Sequence, residues 1–195
     1  EAQAQGRLAT IAVVDRVGNV LTVFDMNAAQ TQTTITTNRG IAKNNGLENV
    51  QQVFTSIGNT TSPSTRLAAI AKAVTGAYLS SGGNAFTTRT ASQIVQEHFN
   101  PGEKFSPSGP LFGVQFSQLP CSDLSVRQST NSAAPTGLSS STIGPKRSPL
   151  GLSADPGGVP LYKGGTVVGG LGVEADGIYT IDPKVLDYDN PVDEI

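Results

Sequence analysis

Residue types that build many common functional sites are scarce in this sequence of 195 residues. It holds one cysteine, one histidine, one methionine and no tryptophan. A lone cysteine, Cys121, cannot form a disulfide within the chain. One histidine and one cysteine also supply too few ligands for a closed tetrahedral zinc site. The sequence therefore argues against both a disulfide scaffold and a structural zinc centre, and it assigns no metal.

Charge is scarce as well. Charged residues make up 14% of the chain and the net charge is −2, so no basic surface for nucleic acid is expected. No apolar run is long enough to cross a bilayer. The chain begins with Glu1 rather than methionine and is rich in Ser, Thr, Asn, Gln and Gly. We therefore expect an exported protein with a processed N-terminus, located in the periplasm or outside the cell.

Two β-hairpins are predicted at opposite ends of the chain. Near the start, the apolar segments 9–15 and 20–25 flank a turn at Gly18-Asn19. Near the end, residues 157–173 contain two apolar segments around Lys163-Gly164-Gly165, where the glycines permit a tight turn. The further glycines of the second segment indicate a close approach of its backbone to a helix, an insertion or a neighbouring subunit.

Helices are predicted between the hairpins. Ser62-Pro63-Ser64 is typical of a helix start, and the apolar residues that follow at helical spacing are Leu67, Ile70, Ala71, Val74 and Tyr78. A second helix, capped by Thr87 or Thr88, is predicted to extend to Phe99. The spacing of Leu47, Val50, Val53 and Phe54 also predicts a short helix, and residues 111–116 predict a strand.

The domain boundaries follow from these elements. Residues 1–8 are interpreted as the tail of a helix, and Asn190-Pro191 as the start of another. We therefore expect a single domain over 1–195 that is incomplete at both ends. Residues 84–155 form an insertion that becomes rich in Ser, Pro and Gly after Pro120, and a connection of this length is expected to form contacts or to be mobile.

Three blocks resemble those of a known family, in the same order along the chain. They are residues 11–19, the segment Lys72–Tyr78, and residues 157–173. Together they resemble the GlcG/HbpS-like haem-binding family, which is related to the C-terminal domain of PduO corrinoid adenosyltransferases. The insertion is similar to that of a larger, uncharacterised branch of the family. The resemblance implies an α+β fold with an antiparallel sheet and flanking helices, assembly into a homo-oligomer, and binding of haem or a related tetrapyrrole.

Three residues are candidates for cofactor binding. His98, on the apolar face of its predicted helix, could ligate a haem iron, or it could be a packed histidine bonded to a nearby carbonyl. Lys72 and Tyr78 could meet a propionate or an axial position of a tetrapyrrole. The alternatives are a solvated lysine and a core tyrosine with a satisfied hydroxyl.

No catalytic residues are assigned. Cys121 is interpreted as a small buried residue. Four aspartates lie at predicted strand ends, and they could bind a cation or act as acid and base, but aspartate is also a common turn former; they are Asp15, Asp25, Asp155 and Asp176.

The leading hypothesis is an exported, oligomeric, non-catalytic binding protein for haem or a similar tetrapyrrole. The first alternative is a self-assembling extracellular structural protein. The second alternative is an enzyme that degrades haem or acts on a small oxidant.

Overall fold

The computed structural model describes residues 2–26, 32–36, 52–55, 60–100, 103–115, 148 and 150–181, with the backbone alone at 52–55 and 60–64. A short 3-10 turn at Ala2–Gln5 precedes eight strands and two helices in this part of the chain. In chain order they are β1 (Thr10–Asp15), β2 (Val20–Asp25), β3 (Thr34–Ile35), β4 (Gln52–Thr55), β5 (Thr60–Pro63), α1 (Ser64–Leu79), α2 (Thr88–Ile94), β6 (Gly158–Lys163), β7 (Thr166–Glu174) and β8 (Ile178–Tyr179).

The main sheet has four antiparallel strands in the order β2-β1-β7-β6. Both predicted hairpins are present in it, and β1 of the first hairpin pairs with β7 of the second. The other four described strands form two short pairs: β3 lies parallel to β8, and β4 lies antiparallel to β5. The protein therefore has an α+β fold with an antiparallel sheet, as the sequence predicted.

Helix α1 packs across one face of the main sheet at very short range. A Cβ atom added to Gly172 would lie 2.6 Å from the Ala73 nitrogen and would overlap the Ala69 carbonyl oxygen, and one on Gly170 would overlap the Ala73 carbonyl oxygen. Since these neighbours are backbone atoms of α1, no side chain on either glycine can be accommodated. The glycines of β7 therefore allow the backbone of the strand to contact the helix directly, which confirms the prediction of close packing.

The main core lies between α1 and the sheet. Ala12 and Val14 of β1 face α1 and are buried. Because successive residues of a strand alternate between faces, Ile11 and Val13 lie on the opposite face, where they are partly exposed. Within the described residues, no helix is both long and apolar enough to cross a membrane.

Two predicted elements are wrong. Val53 and Phe54 lie in strand β4, because a short apolar run suits either structure and both residues favour strands. The predicted strand from Leu111 is instead a series of turns, in which Phe112 N donates to Gly109 O and Val114 N to Leu111 O.

Helix α2 begins as predicted but ends early. The Thr87 side chain accepts a hydrogen bond from Thr90 N and caps its first turn, while the helix stops at Ile94. The carbonyl of Ile94 then accepts from Leu111 N, and that of Gln96 from Gly109 N. Hydrogen bonds to Gly109 and Leu111 therefore replace those of the next helical turn, which explains why the helix is short. Cys121 and the predicted helix start at Asn190 lie outside the described residues.

Candidate functional site

Lys72 lies in a buried cluster of charges that the sequence did not predict. Its ammonium nitrogen is 2.8 Å from an Asp155 oxygen and 2.8 Å from a Glu174 oxygen. The exposed fractions of the three side chains are 0%, 3% and 0%. The alternative of a solvated Lys72 is therefore wrong. We call Lys72, Asp155 and Glu174 the buried charge cluster.

Three different parts of the chain supply this cluster. Lys72 is on α1, Glu174 ends β7, and Asp155 ends the insertion. A fourth segment contributes through Thr33, whose hydroxyl donates to Glu174 at 3.0 Å. The cluster consequently holds the end of the insertion against α1 and the main sheet.

Neutral hydrogen bonds hold the end of the insertion in the same place. Ser153 N donates to the Thr75 hydroxyl oxygen at 2.7 Å, and that hydroxyl donates to Ala71 O within α1. Ala154 N donates to the Gln115 side-chain oxygen at 2.7 Å. This part of the predicted irregular insertion is thus built into the core, because its backbone groups find buried polar partners.

The Tyr179 side chain lies beside the cluster and is fully buried. Burial raises the pKa of its phenol well above the usual range, and the charges of Asp155 and Glu174 act in the same direction. The nearby Ser153 and the charge of Lys72 oppose this rise without cancelling it. The phenol therefore stays protonated and neutral in the folded protein.

Sequence reasoning missed the cluster, although α1 carries a signal for it. Residues 67–77 of α1 are buried on every side of the helix, as expected for a helix enclosed by protein. A lysine inside such a helix cannot reach water and needs carboxylate partners. That rule predicts a partner for Lys72, but it does not say which acidic residue supplies it.

His98 lies in an exposed loop after α2 rather than on a helix. Its Nδ1 atom is 2.9 Å from the Ser106 carbonyl oxygen. Because a carbonyl oxygen only accepts, Nδ1 carries a hydrogen, and in the neutral ring this leaves the lone pair on Nε2. The bond to a carbonyl was expected and is present, whereas the expected packed position is wrong, because the residue is exposed. We call residues 95–100 and 103–115 the His98 loop.

Exposed aromatic side chains also lie on this loop. Phe99 N donates to Pro107 O at 2.9 Å, so the two arms of the loop are joined next to the histidine. Phe105 is fully exposed, and Phe99 and Phe112 are 37% and 39% exposed. The loop thus combines one imidazole with an apolar surface that water reaches.

Tyr78 lies near the C-terminal end of α1 and is 40% exposed, so it is not a core residue. Its hydroxyl is satisfied, as expected, since it donates to Val17 O at 2.9 Å. Lys72 and Tyr78 are six residues apart, or about 9 Å along the helix axis. The three candidates have separate surroundings: the buried charge cluster, the β1–β2 turn and the His98 loop.

The four strand-end aspartates do not form a common site. Asp15 accepts hydrogen bonds from Val17 N and Asn19 N, and Asp176 accepts one from Ile178 N, so both stabilise turns. Asp25 pairs with Arg66, and Asp155 belongs to the buried charge cluster. Within the described part of the chain, no group of three or more His, Cys, Asp or Glu side chains could hold a metal ion.

The chain is similar in fold to the Klebsiella pneumoniae protein ORFY, a DUF336 or GlcG-like protein, with 18% identity and a TM-score of 0.42. The similarity covers 89% of this chain and 66% of that protein, which is just under two thirds of its length. It concerns the fold alone. No family model and no curated protein matches this chain.

Proposed function

We propose that this protein is an exported, non-catalytic binding protein for haem or a similar tetrapyrrole, with His98 as the ligand to the iron. The observation that carries the proposal is the hydrogen bond from Nδ1 of His98 to Ser106 O. Metal-bound histidines almost always donate their other ring N–H to a carbonyl or a carboxylate, which fixes the ring and the tautomer. His98 already has this arrangement on an exposed ring.

The aromatic residues of the His98 loop support the choice of a planar apolar ligand. The exposed side chains of Phe99, Phe105 and Phe112 offer apolar area on the same loop as the imidazole. Exposed apolar patches on soluble proteins commonly mark binding sites. A tetrapyrrole bound there would cover these rings, and it would bring its iron to Nε2 of His98.

His98 is preferred over the other two candidates because of their contacts. The ammonium of Lys72 is held by two carboxylates in the buried charge cluster. The Tyr78 hydroxyl donates to the Val17 carbonyl and would have to leave it to meet a ligand. Both remain secondary candidates, which a ligand could reach only after these contacts break.

Hemin titration tests the proposal. At micromolar concentrations, the protein should give a shifted Soret band, and His98→Ala should lose most of the shift because the iron loses its axial ligand. Tyr78→Phe is the matched control: it removes an exposed polar group outside the His98 loop and should leave the titration unchanged. An unshifted band with the unaltered protein would overturn the haem proposal. An equal loss in Tyr78→Phe would overturn the assignment of His98.

Self-assembly is a second candidate function, because one edge of the main sheet has an apolar surface. Leu21 and Phe24 of β2 are 64% and 59% exposed, and Val20 beside them is 44% exposed. Among the described strands, only β1 pairs with β2. Exposed apolar side chains on an edge strand favour association, and we propose a second copy of this chain as the partner.

Light scattering at several protein concentrations tests this assembly. Phe24→Ser should lower the mean particle mass, because it removes a large apolar side chain from β2 without touching the core. Val168→Ser is the control, since Val168 is an exposed apolar residue of β7. A stable monomer at all concentrations would overturn assembly, and equal effects of the two substitutions would overturn the role of β2.

A further inference from the structure

We propose that Lys72 and Asp155 become joined by an intramolecular amide bond, with Glu174 transferring the proton. The bond would link the Lys72 side chain on α1 to Asp155 at the end of the insertion. It would be a covalent modification made by the fold itself. It does not rest on the haem proposal, in which the iron ligand is His98.

The geometry places a nucleophile, an acyl group and a proton acceptor together. The Lys72 nitrogen is 2.8 Å from one oxygen of Asp155, so the carboxyl carbon is one bond further away. Reacting groups that a fold holds close together and in a suitable orientation react as if at very high concentration. Glu174 contacts the same nitrogen at 2.8 Å from its own strand. One carboxylate can therefore be attacked while the other accepts the proton.

The two carboxylates differ in how they are held. Glu174 ends β7 and accepts a hydrogen bond from Thr33, which fixes it as the proton acceptor. Asp155 lies outside any strand or helix, at the end of the insertion, and its carboxyl group contacts the Lys72 nitrogen directly. This difference selects Asp155 as the residue that forms the bond.

Burial favours the reaction over the ion pair. All three side chains are shielded from water, and buried charges carry a large desolvation penalty that an ion pair repays only in part. Amide formation replaces one ammonium and one carboxylate by a neutral group. The water molecule that the reaction releases leaves the buried site. Its absence there opposes hydrolysis of the amide bond.

The reaction balances without any oxidant, reductant or further reactant. Lys72 first passes a proton to Asp155, which gives a neutral amine and a neutral carboxylic acid. The amine nitrogen then forms a bond to the carboxyl carbon of Asp155. Glu174 takes the proton from that nitrogen and gives it to the departing hydroxyl, so that water leaves. Glu174, now without its cation, takes up one proton from solvent and hydrogen-bonds to the new amide.

Mass spectrometry of the full chain tests the bond. The unfolded protein should be lighter than its sequence mass by one water molecule. Trypsin cannot cleave after an amide-linked lysine, so the digest should contain peptide 67–89 joined to peptide 148–163 as one branched species. A mass equal to the sequence mass, with normal cleavage after Lys72, would overturn the proposal.

Two controls distinguish this bond from other losses of water. A cyclic imide at Asp176-Gly177 would also remove one water, but it would place the deficit on peptide 164–184 and would therefore count against the proposal. Glu174→Gln keeps the shape of the side chain and should abolish the branched peptide, because the amide is a poor proton acceptor. Asp25→Asn, in an exposed pair, should leave the branched peptide intact. Retention of the bond in Glu174→Gln would overturn the role of Glu174.

Discussion

Helix α1 carries two cations that are both paired with carboxylates but lie in opposite environments. Arg66 is 51% exposed and contacts Asp25 of β2 at 2.5 Å. Lys72, six residues later, is fully buried between Asp155 and Glu174. The distances between the charged atoms are similar in the two places, but only the Arg66 pair is accessible to water.

This difference determines what each pair contributes. Water and salt screen the exposed pair, and such pairs contribute about 0–1 kcal/mol to stability. In the buried charge cluster, a carboxylate that loses its cation cannot be solvated, so removal of one partner costs about 3–5 kcal/mol. A short ion-pair distance is therefore a poor guide to stability unless the burial of the side chains is also known.

The largest effect is expected from Lys72→Met, which leaves two buried carboxylates without their cation. The loss of that cation alone should lower the free energy of unfolding by about 3–5 kcal/mol, and the loss of the proposed amide bond would add to this. In a chain of this size a loss of about 3–5 kcal/mol lowers the melting temperature by roughly 6–20 °C. Thermal unfolding followed by circular dichroism measures the change.

Arg66→Met is the matched control for this substitution, because it makes the same change on the same helix. It should lower the free energy of unfolding by no more than about 1 kcal/mol. Equal losses in the two variants would contradict the difference between the two environments of α1.

A smaller effect is expected from Tyr179→Phe, and it depends on pH. The unfolded phenol ionises near its ordinary pKa of about 10, whereas the folded phenol keeps its proton at that pH because its pKa is raised. The unfolded state therefore binds fewer protons above this pH, and stability falls as pH rises. The slope is about 1.4 kcal/mol per pH unit for this single group.

Urea unfolding of both proteins between pH 9 and 11 measures that slope. The difference between the free energies of unfolding of Tyr179→Phe and the unaltered protein should rise with pH above about 10. A difference that is independent of pH would show that the phenol ionises alike in both states.

The smallest effect is expected from Asp25→Asn. Partial burial alone would raise the pKa of Asp25, but hydrogen bonds from Arg66 and Thr10 and the charge of Arg66 outweigh it, so the pKa is lowered. A carboxyl with a lowered folded pKa stabilises the protein above its unfolded pKa, and this contribution is lost as pH falls through the folded value.

Melting temperatures at neutral and acidic pH check the Asp25 prediction. Asp25→Asn should be slightly less stable than the unaltered protein at neutral pH, by at most about 1 kcal/mol, and the gap should close in acid and in high salt. A gap that widens in acid would contradict the lowered pKa.

Local sequence patterns predicted the parts of the fold whose partners lie nearby in the chain. Both hairpins and the Thr87 cap depend on turn residues and short-range alternation. The patterns failed at Val53, at Leu111 and at the end of α2. At the end of α2, Ile94 and Gln96 accept hydrogen bonds from Leu111 and Gly109, and bonds between residues three apart form the turns that follow. Neither pattern contains these contacts, which replaced the structure that it suggested.

The candidate site was predicted less completely for the same reason. The sequence identified His98 as the only histidine and suggested a carbonyl partner for it, but the exposure of the ring depends on how the two arms of its loop meet. It also singled out Lys72. The partners Asp155 and Glu174 lie 83 and 102 positions further along the chain (155 − 72 and 174 − 72), and no local rule connects them to it.

The sequence alone determined that this protein has an antiparallel sheet of hairpins and a long apolar helix, because alternation, helical spacing and turn residues act over a few positions. It also determined that glycines in β7 would permit close packing. Only the tertiary structure decided which charges are buried. Solvation of a side chain depends on every segment that surrounds it. Lys72 is enclosed by segments of α1, the main sheet and the insertion together.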